Sequence, residues 1–288
     1  MNKWTKYSLA GLGLVGAGLG LAFWSGAANW KSETDKLVEK LKHSASTSGE
    51  KKVSFKDFGN LPAPVAAYFR FALKEDQPLI RTARIRHEGE FKLNDKWIPF
   101  ASTQNFSAHP RAFVWNADMR MNRLMNVRVR DGYVAGRGSM TAKVLSLIQV
   151  MDAHDDPKLD AGALQRYLAE AVWLPTALLP SENLKWTAID DRKALATLSN
   201  AGTTVSLEFN FNETGEITGV FTPERFYEVK GEYKAFPWAG RLWNYREKSG
   251  MMIPLEGEVE WQLPEGNAPY WKGQIVEAKY DFVQQIVP

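Results

Sequence analysis

Four histidines are the first candidates for chemistry in this sequence, because the chain contains no cysteine. The lack of cysteine excludes disulfides, thiol nucleophiles, thiolate metal sites and a lipid-modified cysteine anchor. His43 lies in a charged segment and His109 directly precedes a proline. His154 stands in the acidic stretch "DAHDDP", where a cation could bind, although aspartates before a helix more often cap its first turn. The chain has no HExxH, HxH or DxDxDG pattern, so we expect no metal site and no cofactor.

His87 differs from the other three histidines because it belongs to an alternating segment, "RTARIRHEGEFKL". Alternate side chains of a strand point to opposite faces, which places His87 on the same face as Ile85 and Phe91. A histidine on an apolar face is either a core residue or a polar group inside a ligand cavity. Both interpretations stay open, and His87 is a candidate ligand-binding residue.

Three glutamates at positions 256, 258 and 260 share one strand face, with side chains about 7 Å apart along the strand. Such spacing could suit a carboxylate pair of a glycosidase. Arginines occupy equivalent positions on other strands, so cross-strand ion pairs on a solvated face explain both sets. The chain contains no GxSxG elbow or Walker motif, and we name no catalytic residue. A hydrolase that uses Glu170, Glu182 or Glu256 remains an alternative.

The overall charge balance argues against a nucleic-acid partner. The 288 residues include 36 basic and 33 acidic side chains, well mixed along the chain, for a net charge of +3. Nucleic-acid binding would need a basic stripe, which the sequence lacks. The length suits one large domain or two small ones with a sizeable apolar core.

An apolar segment at residues 7–30 follows Lys3 and Lys6. Its 24 uncharged residues are enough to span roughly 30 Å of hydrocarbon. A removable signal peptide and a retained membrane anchor both fit, and the length of the segment favours the anchor. Because a short basic N-terminus resembles an export signal, we expect a single-pass inner-membrane protein with its domain in the periplasm. The lysines after the segment do not support this orientation.

Three regions follow from composition and periodicity. Residues 1–30 form the anchor or signal segment, and residues 31–60 form a helical stalk and linker, with a helix docked on the domain as the alternative. Residues 61–288 form a single β-rich domain, which a proline-started helix opens. A helical insert interrupts the strands at about residues 143–180, although its first part could also be a buried strand.

The remaining segments alternate with period two and are joined by short turns, which predicts roughly ten or eleven antiparallel strands. A sheet of this size must curl, split or close. Its few helices can cover only part of it, so we expect an α+β, mainly β fold. The predicted architecture is a large curved antiparallel sheet, an incomplete barrel, with helices covering its concave face.

Large, flexible side chains on the inner faces are typical of cavities for apolar ligands, and also of ordinary hydrophobic cores. The helix at residues 164–180 ends in "VWLPTALLP", which proline breaks into a stiff apolar flap. We expect this flap to act as a lid. The candidate ligand-binding residues are His87, Phe91, Trp115, Met119, Met121, Trp173, Pro175, Leu178 and Leu179.

Several long blocks carry a family resemblance, among them "LPAPVAAYFRFAL", "RYLAEAVWLPTALLPSE" and "PLEGEVEWQLPEG". Over residues 60–280 the chain resembles a bacterial family of uncharacterised proteins, which implies no activity and no site residues. The order of its elements, an export segment, an early helix and a mid-chain helical insert in a many-stranded sheet, is similar to the outer-membrane lipoprotein carrier group. That resemblance implies an incomplete barrel that holds acyl chains under a helical lid.

Together these features predict a membrane-anchored, periplasmic binding protein. Its partners would be a lipid or other apolar small molecule on the concave face and the inner membrane through residues 7–30. A carboxylate-based hydrolase and a non-catalytic envelope scaffold with a filled core are the two alternatives. A cavity on the concave face would separate the binding protein from the scaffold.

Overall fold

The computed structural model describes residues 3–45, 52–93, 95–229 and 231–283, with side chains from residue 20 onwards. These residues form one antiparallel sheet of thirteen strands that is not closed into a barrel, together with three helices. The predicted α+β, mainly β class is confirmed. The helices are α1 (Lys3–Ser44), α2 (Ala63–Ala72) and α3 (Pro157–Glu170). The strands are β1 (Ile80–Leu93), β2 (Lys96–Ser107), β3 (Ala112–Arg120), β4 (Asn126–Val134), β5 (Arg137–Val144), β6 (Ile148–His154), β7 (Leu184–Asp190), β8 (Lys193–Asn200), β9 (Thr203–Phe211), β10 (Ile217–Val229), β11 (Glu232–Lys248), β12 (Met251–Leu263) and β13 (Gly266–Phe282).

The edges of the sheet are β6 and β7, two strands that follow each other in the chain. The spatial order is β6-β5-β4-β3-β2-β1-β13-β12-β11-β10-β9-β8-β7. Each half is therefore a meander of hairpins, and the halves meet where the first strand pairs with the last. Helix α3 carries the chain from one edge to the other and packs against β5, β9 and β10. The sheet thus curls around α3 and stays open.

Three glycines in register mark the bend at the centre of the sheet. Gly273 on β13 pairs with Gly89 on β1 and with Gly257 on β12. A Cβ added at Gly89 would lie 2.2 Å from the carbonyl oxygen of Lys272, and one at Gly273 would lie 2.8 Å from the ring of Trp271. Only glycine permits this close approach, and glycine in a strand interior allows the sheet to bend sharply.

One end of the curved sheet is closed by apolar packing. The chain enters α2 after Pro62 as expected, and the helix buries Tyr68 and Phe69 completely. Two short 3-10 turns, Ala171–Trp173 and Pro175–Leu178, bury their side chains in the same hydrophobic cluster. The predicted apolar flap is therefore part of a dense core at the closed end.

Helix α1 lies on the convex face of the sheet, where Leu41 buries Ala112 and Val114. The Nε1 of Trp30 donates a hydrogen bond of 2.8 Å to Asn116, and the Arg130 guanidinium lies 4.7 Å from the Trp30 ring. Residues 31–44 are helical as predicted, but they lie against the sheet instead of standing clear of it. Apolar side chains at helical spacing in an otherwise charged segment find their partners on β3.

The predicted helical insert begins later than expected. Residues 143–154 complete β5 and form β6, and α3 starts only at Pro157, with Asp156 capping it through the Lys158 amide. Leu145 and Ser146 both adopt positive φ values and form the turn between the strands. The alternation in this segment is weak because β6 is an exposed edge strand, so its residues carry no clear inward and outward pattern.

No helix within the described residues has both the length and the sustained apolar character needed to cross a bilayer. The predicted membrane segment at residues 7–30 falls partly on residues 7–19, whose side chains lie outside the described part of the chain.

Candidate ligand-binding cavity

The concave face of the sheet holds a cavity of about 1030 Å³. Helix α3 lines one side of it, and the closed end of the domain lies at its floor. This volume is at the upper end of the range for small-molecule sites. Residues at four hairpin turns form its mouth: Leu93 and Asp95 at the β1–β2 turn, Met121 at the β3–β4 turn, Glu228 near the end of β10, and Ala268 near the start of β13. The cavity therefore opens at the end of the sheet opposite to α2.

The walls of the cavity are mainly apolar. One wall carries methionines from β3 and β5, which are flexible enough to adapt to an irregular ligand. The opposite wall carries aromatic rings from β12 and β13, with Trp261 and Tyr270 stacked 6.2 Å apart. The cavity is deep because small residues such as Ala142, Gly162 and Gly240 stand where larger ones would fill it.

Five of the nine side chains predicted to bind a ligand line this cavity, and four do not. The five are Phe91, Trp115, Met119, Met121 and Trp173. Strand alternation on β1 and β3 accounts for the first four, which share the concave face. Their role in binding remains a prediction.

His87, Pro175, Leu178 and Leu179 lie outside the cavity lining. His87 is 1% exposed and sits behind Trp173, with the two ring centroids 4.8 Å apart. Its Nδ1 lies 3.4 Å from the Ser102 hydroxyl, so the core interpretation of this histidine fits its position. Leu178 is completely buried, and its carbonyl accepts a hydrogen bond from the Trp186 indole.

The proline-broken segment does not cover the mouth. The Ile80 amide donates to Thr176 at 2.9 Å, and the Tyr280 hydroxyl donates to the Trp173 carbonyl, also at 2.9 Å. These bonds fix residues 171–179 to β1 and β13 at the closed end. Of the predicted lid, α3 and the Trp173 side chain line the cavity, whereas Pro175, Leu178 and Leu179 do not.

An ion cluster that is largely but not fully buried borders the cavity on α3. Arg166 contacts Asp131 at 2.5 Å and Glu170 at 2.8 Å, and Gln104 donates to Glu170 at 2.6 Å. Burial raises the pKa of Glu170, and the contacts with Arg166 and Gln104 oppose that shift. Burial alone would lower the pKa of Arg166, but the two carboxylates raise it. The sequence did not identify this arginine, because one charged residue on an amphipathic helix carries no signal of its burial.

The three carboxylates of the hydrolase alternative lie apart. Glu170 borders the cavity, but the Arg166 ion pair and the Gln104 hydrogen bond occupy its carboxylate. Glu182 is exposed, and Glu256 accepts hydrogen bonds from Trp243 and Asn244. Among the residues with described side chains, no histidine lines the cavity, and no group of three His, Asp or Glu residues could hold a metal.

A second arginine lies near the mouth. The Arg225 guanidinium stacks 4.6 Å from the Trp238 ring and 5.6 Å from the Trp261 ring, and donates to the Gly162 carbonyl at 3.4 Å. Within the described residues it forms no ion pair with a carboxylate, unlike Arg166. The sequence did not mark Arg225 either, because the irregular β10–β11 pairing between Thr222 and Arg225 hides the strand period.

Residues 59–280 match the model of a family of unknown function, DUF6920. The chain belongs to this family. The resemblance to an uncharacterised family over residues 60–280 is thereby confirmed. No curated protein matches the DUF6920 chain in sequence.

Solved structures similar to this DUF6920 protein share little sequence with it. An outer membrane lipoprotein-sorting protein domain from Vibrio parahaemolyticus is 9% identical, with a TM-score of 0.39 over 72% of this chain and 88% of its own. A LolA superfamily protein from Nitrosomonas europaea is 10% identical, with a TM-score of 0.39 over 81% and 96%. A DUF1329 family protein from Desulfovibrio piger is 9% identical, with a TM-score of 0.41 over 77% and 94%. Two of these proteins bear the name of the lipoprotein-sorting group that the element order resembles, and the likeness concerns the fold alone.

Proposed function

We propose that this DUF6920 protein binds a lipid or similar apolar small molecule in the concave cavity. The observation that carries the proposal is the cavity itself, about 1030 Å³ with mainly apolar walls inside a domain whose other end is densely packed. A scaffold with a filled core would have no need of this space. Each methylene of an acyl chain buried there would contribute about 0.8 kcal/mol.

The polar groups around the cavity suggest how such a ligand would lie. Arg166 is already neutralised by two carboxylates, whereas Arg225 near the mouth has none within the described residues. An anionic or strongly polar headgroup would therefore stay at the mouth beside Arg225, with the acyl chain pointing towards Trp173. Stacking on two tryptophans holds the guanidinium in place, so little side-chain entropy is lost on binding.

The cellular setting belongs to the same proposal. The part of residues 7–30 that precedes Gly26 would retain the protein in the inner membrane, with the cavity-bearing domain in the periplasm. Single-cysteine labelling with a membrane-impermeant maleimide in intact cells would test this placement, because the chain has no native cysteine. Labelling of a domain position only after cell lysis would contradict the periplasmic location.

Gly162 provides the variant that tests binding. It lines the cavity on α3, and a Cβ added there would meet no atom within 4 Å. In Gly162→Trp the indole would occupy the cavity, while Gly162→Ala adds one methyl group at the same position and serves as the matched control. Both changes remove a glycine from a helix interior, which favours folding.

The experiment uses the full chain in cells that incorporate a diazirine-bearing fatty acid into their lipids. Ultraviolet light should crosslink lipid to peptides from β3, β5 and β12, and Gly162→Trp should lower the yield at least fivefold while Gly162→Ala retains it. Equal yields in the two variants, or an absence of crosslinks to these strands in the wild type, would overturn the proposal.

A further inference from the structure

Exposed apolar side chains gather at the mouth end of the domain. We call six of them the rim patch; they lie at the β3–β4 and β5–β6 turns and in the first half of β6. The two turns are neighbours, since the Leu145 amide donates to the Asn126 carbonyl at 3.0 Å. Leu124 is 88% exposed and Ile148 is 63% exposed, which is unusual for residues of this size. The rim patch comprises Leu124, Met125, Leu147, Ile148, Val150 and Met151.

Helix α1 leaves the domain directly beside the rim patch. A Cβ added at Gly26 would lie 2.6 Å from Leu147 and 2.8 Å from the Ser146 carbonyl oxygen, so the helix backbone touches the β5–β6 turn. From there α1 runs along the convex face to Leu41, at the far end of β3. Its other direction, from Gly26 back to Lys3, continues past the mouth end for about 34 Å at 1.5 Å per residue.

The described part of that projecting helix continues the apolar surface. Leu21 and Trp24 are 68% and 73% exposed, next to the rim patch. These residues belong to the uncharged segment 7–30, which the proposed function assigns to the inner membrane. The segment that would enter the membrane and the opening of the cavity are therefore on the same side of the domain.

Two basic side chains near Leu124 complement the phosphates of a phospholipid surface. Both Arg120, at the end of β3, and Arg123 precede Leu124 in the chain; both are exposed, and neither forms an ion pair within the described residues. Basic side chains next to exposed apolar ones are the combination that binds anionic bilayers, the first to phosphates and the second to the acyl boundary.

We infer that the domain rests with its cavity mouth on the surface of an anionic phospholipid bilayer, with the rim patch inserted among the headgroups. This inference rests on the proposed function for the identity of the ligand. A lipid would then pass between the membrane leaflet and the cavity without crossing water. A second copy or a partner protein on the rim patch is the competing occupant.

Single-cysteine labelling tests the docking, because the cysteine-free chain accepts one probe at a chosen position. The full-length variants Leu124→Cys and Ile148→Cys carry a nitrobenzoxadiazole label in vesicles of phosphatidylethanolamine and phosphatidylglycerol. The control is Ile189→Cys, 47% exposed, near the β7–β8 turn at the opposite end of the sheet. Spin-labelled phospholipid should quench the two rim probes at least threefold more strongly than the control.

Equal quenching at all three positions would overturn the inference. A rim probe whose emission shifts to the blue but is not quenched by spin-labelled lipid would also overturn it, because that result indicates a protein partner. The variant Arg123→Glu should reduce rim quenching in anionic vesicles and leave it unchanged in purely zwitterionic ones. Crosslinking of lipid inside the cavity is measured separately. Crosslinks without rim quenching would reject the docking alone, and rim quenching without crosslinks would reject the ligand alone.

Discussion

The buried His87 should make the stability of the domain fall as the pH falls through the mildly acidic range. Burial, with Arg166 as a smaller contribution, lowers the pKa of His87 to about 3. In the unfolded chain the same imidazole has a pKa of about 6.5. Between these two values the unfolded state binds a proton that the folded state does not, so acid favours unfolding.

The size of the effect follows from these two pKa values. Between pH 7 and pH 5 the unfolded histidine changes from mostly neutral to almost fully protonated, while the folded one stays neutral. Integration of the linkage relation over this interval gives a loss of about 2 kcal/mol in the free energy of unfolding. Above pH 7 His87 has almost no effect on the pH dependence of stability. Below pH 5 the free energy of unfolding continues to fall, down to about pH 3.

Urea unfolding of the full chain, followed by tryptophan fluorescence at pH 7 and pH 5, measures this loss. The matched variant is His87→Gln, which keeps a polar side chain opposite Ser102 but does not titrate. Every other titrating group is shared, so wild type should lose about 2 kcal/mol more than the variant on acidification. If the Gln variant does not fold, His87→Leu serves the same purpose. Equal losses in wild type and variant would refute the assignment of a neutral, buried His87.

Three further predictions concern the cavity and its floor. Trp173→Ala should lower the free energy of unfolding by about 3–5 kcal/mol in urea titrations, because the indole is only 5% exposed; unchanged stability with altered ligand retention would instead indicate a lid. Arg166→Met should cost up to about 3–5 kcal/mol at pH 7, because two largely buried carboxylates lose their cation, and less at pH 5, where Glu170 protonates more readily. Arg225→Gln should weaken binding of a fluorescent anionic lipid about ten- to hundredfold, since a hydrogen bond to a charged group contributes about 1.5–3 kcal/mol, and leave binding of a neutral diacylglycerol analogue unaffected.

Strand periodicity predicted much of the sheet, because one face of most strands is buried and the other is solvated. Arg84 and Arg86 lie near Glu277 on the outer face, and Arg241 pairs with Glu258, in line with a solvated face with cross-strand ion pairs. Strand β11 had no such signal, since it contains a proline, a glycine and Asn244 at a positive φ, and its burial does not alternate cleanly.

The site was harder to predict than the fold, because it depends on how distant elements meet. Alternation could place His87 and Phe91 on the same inner face, but only the position of Trp173 decides that the first is core and the second lines a cavity. The crossing of α3 between the two edge strands, and with it the burial of Arg166, is a property of the whole sheet. A local sequence window carries no trace of it.

Because β1 pairs with β13, the sheet can be completed only after the last strand has been synthesised. Thr82 faces Asp281 and Phe91 faces Trp271, so the contacts that join the two halves are separated by about two hundred residues in the chain. Closing so long a loop is slow, and contacts of this kind dominate folding rates. While the chain emerges, β1 has its β2 partner on one side and a bare hydrogen-bonding edge on the other. The N-terminal half of the sheet therefore keeps an unpaired edge, which can pair with a wrong strand, until β13 has been synthesised.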